Sequence, residues 1–408
     1  MTAHPTLLLA AVLLFQSCTR APLARVDAQL SMEIDKIQAI DNHAHPVRPV
    51  EQGEQPDKDY DALPVEQLEA SSDPVRLRPG ALELAEAHRS LGSDREDVNK
   101  VLDRAGIGIM LANRVSMGKG LPPARFLWVA YADGLMYPLD NTSLATTSDR
   151  KAFFGLEERL LARYYRESGV PGRPAKLDDY LEKVVKPTIE RHKQGGAVAE
   201  KFEMAYLRSL AVANPSKKDA EAAWAGKSDY RLLQDYIFRF IVLECGRLGM
   251  AVHIHTGAGA GGYFDVAGSN PMLLETLFND PGLRHTNFVM LHGGWPFSGA
   301  VAPLLVKPNA WVDCSVLGLV ISRDEMARIL RNWLEFVPEK VLFGTDAYPY
   351  APEQGWQETA VASARAGRDA LKVALTQMMR EDEITPDRAV ELARMVLRDN
   401  ARKLYNIQ

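Results

Sequence analysis

Eight short apolar runs, separated by longer stretches with helical spacing, leave this chain few folds to choose from. The runs are Ile37–Asp41, Gly108–Ala112, Phe126–Ala130, Val198–Met204, Ala251–His255, Phe288–Leu291, Ala310–Asp313 and Val341–Phe343. Helical patterns at Tyr230–Leu248, Pro271–Phe278, Arg323–Phe336 and Pro386–Leu404 fill gaps between them. Strands that alternate with helices predict a parallel sheet, because parallel neighbours need a crossover connection of a dozen residues or more. Eight such units close a sheet on itself, so the expected class is α/β, a (β/α)8 TIM barrel.

The remaining sequence is assigned around that barrel. Leu7–Phe15 is an unbroken apolar run followed by Gln16-Ser17-Cys18. It is too short to span a bilayer and fits the core of a secretory signal. Residues 1–18 are therefore expected to be a signal peptide, with Cys18 as a candidate lipoprotein site and residues 19–31 as a tether. That places the protein outside the bacterial cytoplasm, in the periplasm or held to a membrane by a lipid on Cys18. Residues 32–408 form the barrel domain, with long polar insertions at about 46–100 and 138–195. Long connections at barrel strand ends usually serve as lids or specificity walls, so both are expected to be helical caps on the C-terminal face. The net charge of −5 is spread without runs, which excludes the basic stripe of a nucleic-acid binder. Cys245 and Cys314 sit in apolar segments and read as buried free thiols. The sequence leaves a homo-oligomer open.

Chemistry enters at the strand ends. Asp41-Asn42-His43-Ala44-His45-Pro46 closes the first run, and residues two apart on a strand project to one side. His43 and His45 thus form half of a metal site. His255 ends the fifth run, His292 follows the sixth and Asp346 follows the eighth. In a barrel all strand C-termini converge on one face, so these five groups are expected to meet there. Mixed imidazole and carboxylate ligands suit zinc, with manganese and iron as the alternatives. The other histidines act as a control. His4, His88, His192 and His285 lie in the leader, in polar helical stretches or before a strand, and are read as non-functional. His253 faces inward one layer deeper than His255 and reads as a supporting or packed group. The glycine-rich Gly257–Gly262 segment reads as a mobile loop over the metals, since it lacks nucleotide-binding spacing.

The motifs DNHAHP, HIHTG, VMLHGGWP, VLFGTDAYP and DNARKLYNI, in this order, resemble the amidohydrolase superfamily, in its amidohydrolase-related branch of metal-dependent hydrolases. The resemblance runs from about residue 34 to the end and implies a (β/α)8 fold with one or two divalent metals. In two-metal relatives a carboxylated lysine at the end of strand four bridges the pair, and Lys201 occupies that place. A Lys201–Glu203 ion pair is the alternative. Arg208 stands one residue further from Tyr206 than in the resembling branch, which puts its role in doubt. Arg114, Tyr206, Arg208, Trp295 and Tyr348 follow strands two, four, six and eight and are candidate substrate contacts; an arginine there could grip a carboxylate.

The resemblance implies hydrolysis of a C–N or related bond in a small molecule by metal-activated water. His43, His45 and Asp346 would hold one metal, His255 and His292 a second, with Lys201 between them. Asp346 would move the proton. Two alternatives stand. In a mononuclear zinc non-oxidative decarboxylase, His43, His45, His255 and Asp346 would hold the one ion, Lys201 would not be a ligand, and His292 would donate a proton or touch substrate. In a catalytically silent metal- or ligand-binding lipoprotein, the barrel would only bind. The substrate itself is not readable, because specificity in such folds lies in the loops.

Overall fold

A computed structural model of the chain describes residues 26–48, 50, 53–55, 57–60, 68, 80–349 and 354–408. The signal, Cys18 and most of the tether lie outside the described residues. The tether's last residues do not form an extended link. Asp27 accepts the backbone N–H of Leu30 and starts a helix at Ala28–Asp35, which buries Leu30 and Ile34. Among the described residues no helix is long and apolar enough to cross a membrane.

Eight parallel strands pair in chain order: β1 (Ala39–Ala44), β2 (Ile107–Asn113), β3 (Phe126–Tyr131), β4 (Ala197–Phe202), β5 (Ala251–His255), β6 (Phe288–Leu291), β7 (Ala310–Asp313) and β8 (Val341–Leu342). The seam between β8 and β1 is closed by Asn42 N to Phe343 O at 2.9 Å, Asp346 N to His43 O at 2.8 Å and His45 N to Ala347 O at 2.8 Å. The fold is the expected (β/α)8 barrel.

Ile40, Leu111, Val129, Ala199, Ala251, Val289, Trp311 and Leu342 fill the barrel interior. They are one apolar residue from each strand, as a barrel packed in layers requires. Ala401, Leu404, Tyr405 and Ile407 of the C-terminal segment pack against this cluster and plug the barrel floor. The interior then changes character towards the strand C-termini, where Asn113, Tyr131, Lys201, His253 and Asp313 take the next inward positions. In β1 the pairing register shifts between Asp41 and Ala44. That irregularity lets both Asn42 and His43 face the interior although they are sequence neighbours.

Helices cover the outside. Tyr230–Leu248 starts on Asp229 and stops at left-handed Gly249; Arg323–Phe336 starts on Ser322. The expected helix Pro386–Leu404 is two helices, Pro386–Arg394 and Asn400–Tyr405, joined by one wide turn at Met395–Asp399. Asn400, just past that turn, donates to the carbonyls of Pro338 and Val341 at 2.8 Å each. Strand four ends earlier than expected, at Phe202, and Glu203 leads into a short turn.

The insertions divide in role. Gly80–Leu91 packs along the outer helix Trp356–Arg380, with His88 against Glu358 and Glu86 against Arg365. Ser148–Glu167 instead reaches the barrel mouth, where Phe153 stacks on Tyr206 with ring centres 4.5 Å apart.

At the opposite end, buried Arg368 on Trp356–Arg380 donates to the carbonyls of Ile34, Ile37 and Gly106, each at 2.8 Å. It clamps the entrances of β1 and β2 with charge-assisted bonds. Arg368→Ala leaves three carbonyls without their donor and is expected to cost on the order of 3 kcal/mol in chemical denaturation. An unchanged denaturation midpoint would show that the clamp contributes nothing.

Candidate metal centre

Three donor atoms meet where β8 closes on β1. His43 Nε2 lies 3.2 Å from His45 Nε2 and 3.2 Å from Asp346 Oδ1. His45 Nε2 lies 3.4 Å from the same Asp346 oxygen. Tetrahedral ligands at roughly 2.0–2.1 Å from zinc stand about 3.3–3.4 Å apart, so the three distances match one face of a zinc tetrahedron. His292 joins from β6: ligand atoms of His43, His292 and Asp346 all fall within 4.8 Å of one another. The chemistry of the donors fits as well. Burial and the Lys201 cation hold the His43 imidazole well below its ordinary range. Burial, with His292 and Lys201, does the same for His255, and burial lowers His292 too. Each shift favours the neutral imidazole, the form that binds metal. Burial alone would raise the Asp346 carboxyl, but His292 and the hydrogen bonds of His43 and His45 outweigh it and keep the group ionised.

Local backbone aims these groups. His292 and Asp346 both adopt left-handed conformations, with φ of 64° and 53°, uncommon for residues other than glycine and frequent at functional sites. Asp346 is held there by its N–H on His43 O, and His292 by its N–H on Asp313 Oδ1 at 2.8 Å. Beneath them Asp41 accepts the N–H groups of His43 at 3.2 Å and Thr345 at 2.9 Å, tying β1 to β8.

Each site imidazole also has a partner behind it. His43 Nδ1 meets Asn113 Nδ2 at 2.9 Å, His45 Nδ1 meets Tyr131 OH at 3.0 Å, and His292 Nδ1 meets Ser315 Oγ at 2.9 Å. Such partners set ring orientation in metal sites. None of the three appeared among the sequence candidates. Their signal was a polar residue ending an apolar strand at Asn113 and Tyr131, and one just past a strand at Ser315.

The remaining candidates separate. Lys201 is buried, with Nζ 3.4 Å from His43 Nε2 and 3.6 Å from Glu203 Oε1, so it stands between the two. The His255 ring lies 4.5 Å from that of His292, although its Nε2 faces the Ala258 carbonyl at 3.2 Å. Tyr206 packs between Phe153, His255 and Phe264, and Tyr348 lies 5.8 Å from His45, ring to ring.

Both arginines already have protein partners. Arg114 is buried and bonds Asp57 Oδ2 at 2.7 Å, Pro46 O at 2.7 Å and Ser116 O at 3.0 Å. Arg208 bonds Asp235 at 2.5 Å, Gln234 at 3.0 Å and Ala211 O at 3.0 Å. Buried guanidinium groups need such partners, and these bonds hold the loops on either side of each arginine. Trp295 acts through its backbone, its carbonyl accepting the N–H of Ala258 at 2.6 Å. The loop at Gly257–Gly262 is likewise pinned rather than loose. Gly257 N bonds Ser269 O at 2.9 Å, and a Cβ at Gly257 would come within 2.3 Å of Trp295 O. His253 supports from below as expected, bonding the Tyr405 hydroxyl at 2.7 Å. Cys245 and Cys314 are buried and free.

At the end of β3, buried Asp133 accepts the N–H of Glu203 at 2.7 Å. Burial pushes its carboxyl up to about 8 from an ordinary 3.8. The folded chain keeps it protonated while the unfolded chain ionises it, so its contribution to stability is lost as pH rises between those values. Asp133→Asn should therefore gain stability relative to the native protein by a few kcal/mol more at pH 8 than at pH 4. Urea titrations at the two values check this; an equal effect at both would mean that Asp133 is ionised in the fold.

Comparison with known proteins agrees with this geometry. The amidohydrolase family model matches residues 152–407, more than half of the chain. Protein fluG of Emericella nidulans is 30% identical over 158 residues, which are 38% of this chain and 17% of that protein. The match thus spans well under a fifth of the length of that relative. Among solved structures, glucuronate isomerase of Caulobacter crescentus superposes with a TM-score of 0.60 at 13% identity, covering 93% of each chain. A Lactobacillus casei protein assigned as a metal-dependent hydrolase does so with a TM-score of 0.58 at 17% identity, covering 92% of this chain and 97% of its own. These two likenesses are of fold. The family match, on a barrel whose strand ends gather histidines and an aspartate, shows that this chain belongs to the amidohydrolase family.

Proposed function

We propose that the protein is a zinc-dependent hydrolase that cleaves a C–N or related bond in a small molecule. The observation that carries this reading is the triangle of His43, His45 and Asp346 donor atoms, whose edges of 3.2, 3.2 and 3.4 Å suit one small divalent ion. When bound, such an ion supplies Lewis acidity and a water acidified towards neutral pH. The ionised Asp346 carboxylate takes the proton of the attacking water and returns it to the leaving group. Lys201, carboxylated on Nζ, would bridge to a second ion held with His255 and His292. Phe153, Tyr206 and Phe264 wall the mouth beside His255. With Arg114 and Arg208 committed elsewhere, that wall suits an uncharged aromatic group better than a carboxylate.

One observation favours the single-metal non-oxidative decarboxylase as a second reading. Lys201 already has Glu203 as an ion-pair partner at 3.6 Å, which leaves a second ion without its bridging group. The exported, lipid-anchored location remains part of the proposal, tested by radiolabelled palmitate incorporation in the native chain against Cys18→Ala.

Metal per chain, measured by elemental mass spectrometry on the protein and on Lys201→Ala, separates the readings. Two ions falling to one or none supports the bridged hydrolase; one ion, unchanged in the variant, moves the assignment to the decarboxylase. No ion after reloading removes both. In a substrate panel, Asp346→Asn should lower turnover by about 100-fold or more, and Phe153→Ala should raise KM for aryl substrates more than for alkyl ones.

A further inference from the structure

A continuous chain of hydrogen bonds runs from the barrel floor to the metal centre. It begins at Tyr405, whose hydroxyl donates to Asn42 Oδ1 and accepts from His253 Nε2 at 2.7 Å. Burial keeps that hydroxyl protonated and holds His253 neutral, its pKa pushed down to about 3. Asn42 Nδ2 then donates to Asp313 Oδ2 at 2.9 Å. The other oxygen of Asp313 accepts three groups: His292 N at 2.8 Å, Ser315 N at 3.2 Å and Ser315 Oγ at 2.7 Å.

The direction of the last two bonds follows from the carboxylate of Asp313. A carboxylate only accepts, so the single hydroxyl proton of Ser315 lies on Asp313. Ser315 Oγ must then accept from His292 Nδ1, 2.9 Å away. A neutral imidazole carries one N–H. With that proton on Nδ1, the lone pair of His292 is on Nε2.

We infer that Asp313, acting through Ser315, is a positioning residue that fixes the tautomer of His292, and that Asn42 and Tyr405 anchor it from the barrel floor. Asp313 touches no reacting atom in this account. It chooses which nitrogen of His292 carries the proton, and its own orientation is set through Asn42 by Tyr405 of the C-terminal helix. The argument about the tautomer stands on hydrogen bonding alone; its consequence for metal rests on the metal-centre reading above.

Histidine-selective 15N labelling of the full chain tests it through the tautomer-sensitive shifts of the ring nitrogens. The native protein should show His292 as the Nδ1–H form and His253 as the Nε2–H form. Ser315→Ala, which removes the hydroxyl linking Asp313 to the ring, should convert His292 to a mixture or to the Nε2–H form. Asp313→Asn should do the same and weaken zinc binding about 10- to 100-fold, while Tyr405→Phe produces a smaller loss in the same direction. His292 in the Nε2–H form in the native protein overturns the assignment, and that measurement needs no variant to fold. So does a folded Asp313→Asn whose His292 shifts and zinc affinity match the native values. A native protein that binds no zinc but holds His292 as Nδ1–H would remove the metal centre and leave the positioning role intact.

Discussion

The hydrogen bonds that close β8 on β1 serve the fold and the site together. Asp346 N on His43 O makes the seam continuous and, in the same stroke, brings a carboxylate against two imidazoles. An open sheet would leave those donors on opposite edges, many ångströms apart. Barrel closure is therefore what turns scattered strand ends into one site, and most of the supporting structure protects that closure. Asp41 and Thr345 bond across the seam from the side of the site, while Arg368 and Asn400 hold backbone carbonyls at the strand entrances.

Burial is the second constraint, and it acts through satisfaction of polar groups. The lower interior is apolar, but the layer above it holds Asn42, Asn113, Lys201, His253 and Asp313, all shielded from solvent. Unpaired, such groups cost several kcal/mol each. Here Asn42 bonds Asp313, His253 bonds Tyr405, and Asn113 and Lys201 both reach His43, so the polar layer supports the rings above it. The low-dielectric surroundings also favour the neutral form of His43, His255 and His292.

Much of this was legible in the sequence because barrels put chemistry where strands stop. β5, β6 and β7 begin and end at the expected residues, since each is a clean apolar run with a turn after it. Helices with one apolar face, such as Arg323–Phe336, were equally clear. Trp356–Arg380 was not, because it is buried on nearly every side and shows no polar stripe to give it a period. The partners of the two arginines were hidden for a different reason. Position after a strand told where they stand, whereas their partners, Asp57 and Asp235, come from segments whose proximity no local pattern reveals. The supporting groups Asn113, Tyr131 and Ser315 escaped notice because each is a single polar residue, meaningful only once the ring beside it is known.

The left-handed backbone at His292 and Asp346 bears on how such a site can drift over evolutionary time. Besides glycine, the residues that tolerate this conformation are mainly asparagine, aspartate and histidine. Two of those are metal ligands and the third is a neutral mimic of one. A random substitution at either position thus tends either to strain the chain or to land on another polar donor. The scaffold itself narrows the mutational paths open to the centre, favouring exchange of one ligand type for another over gradual decay into an apolar pocket.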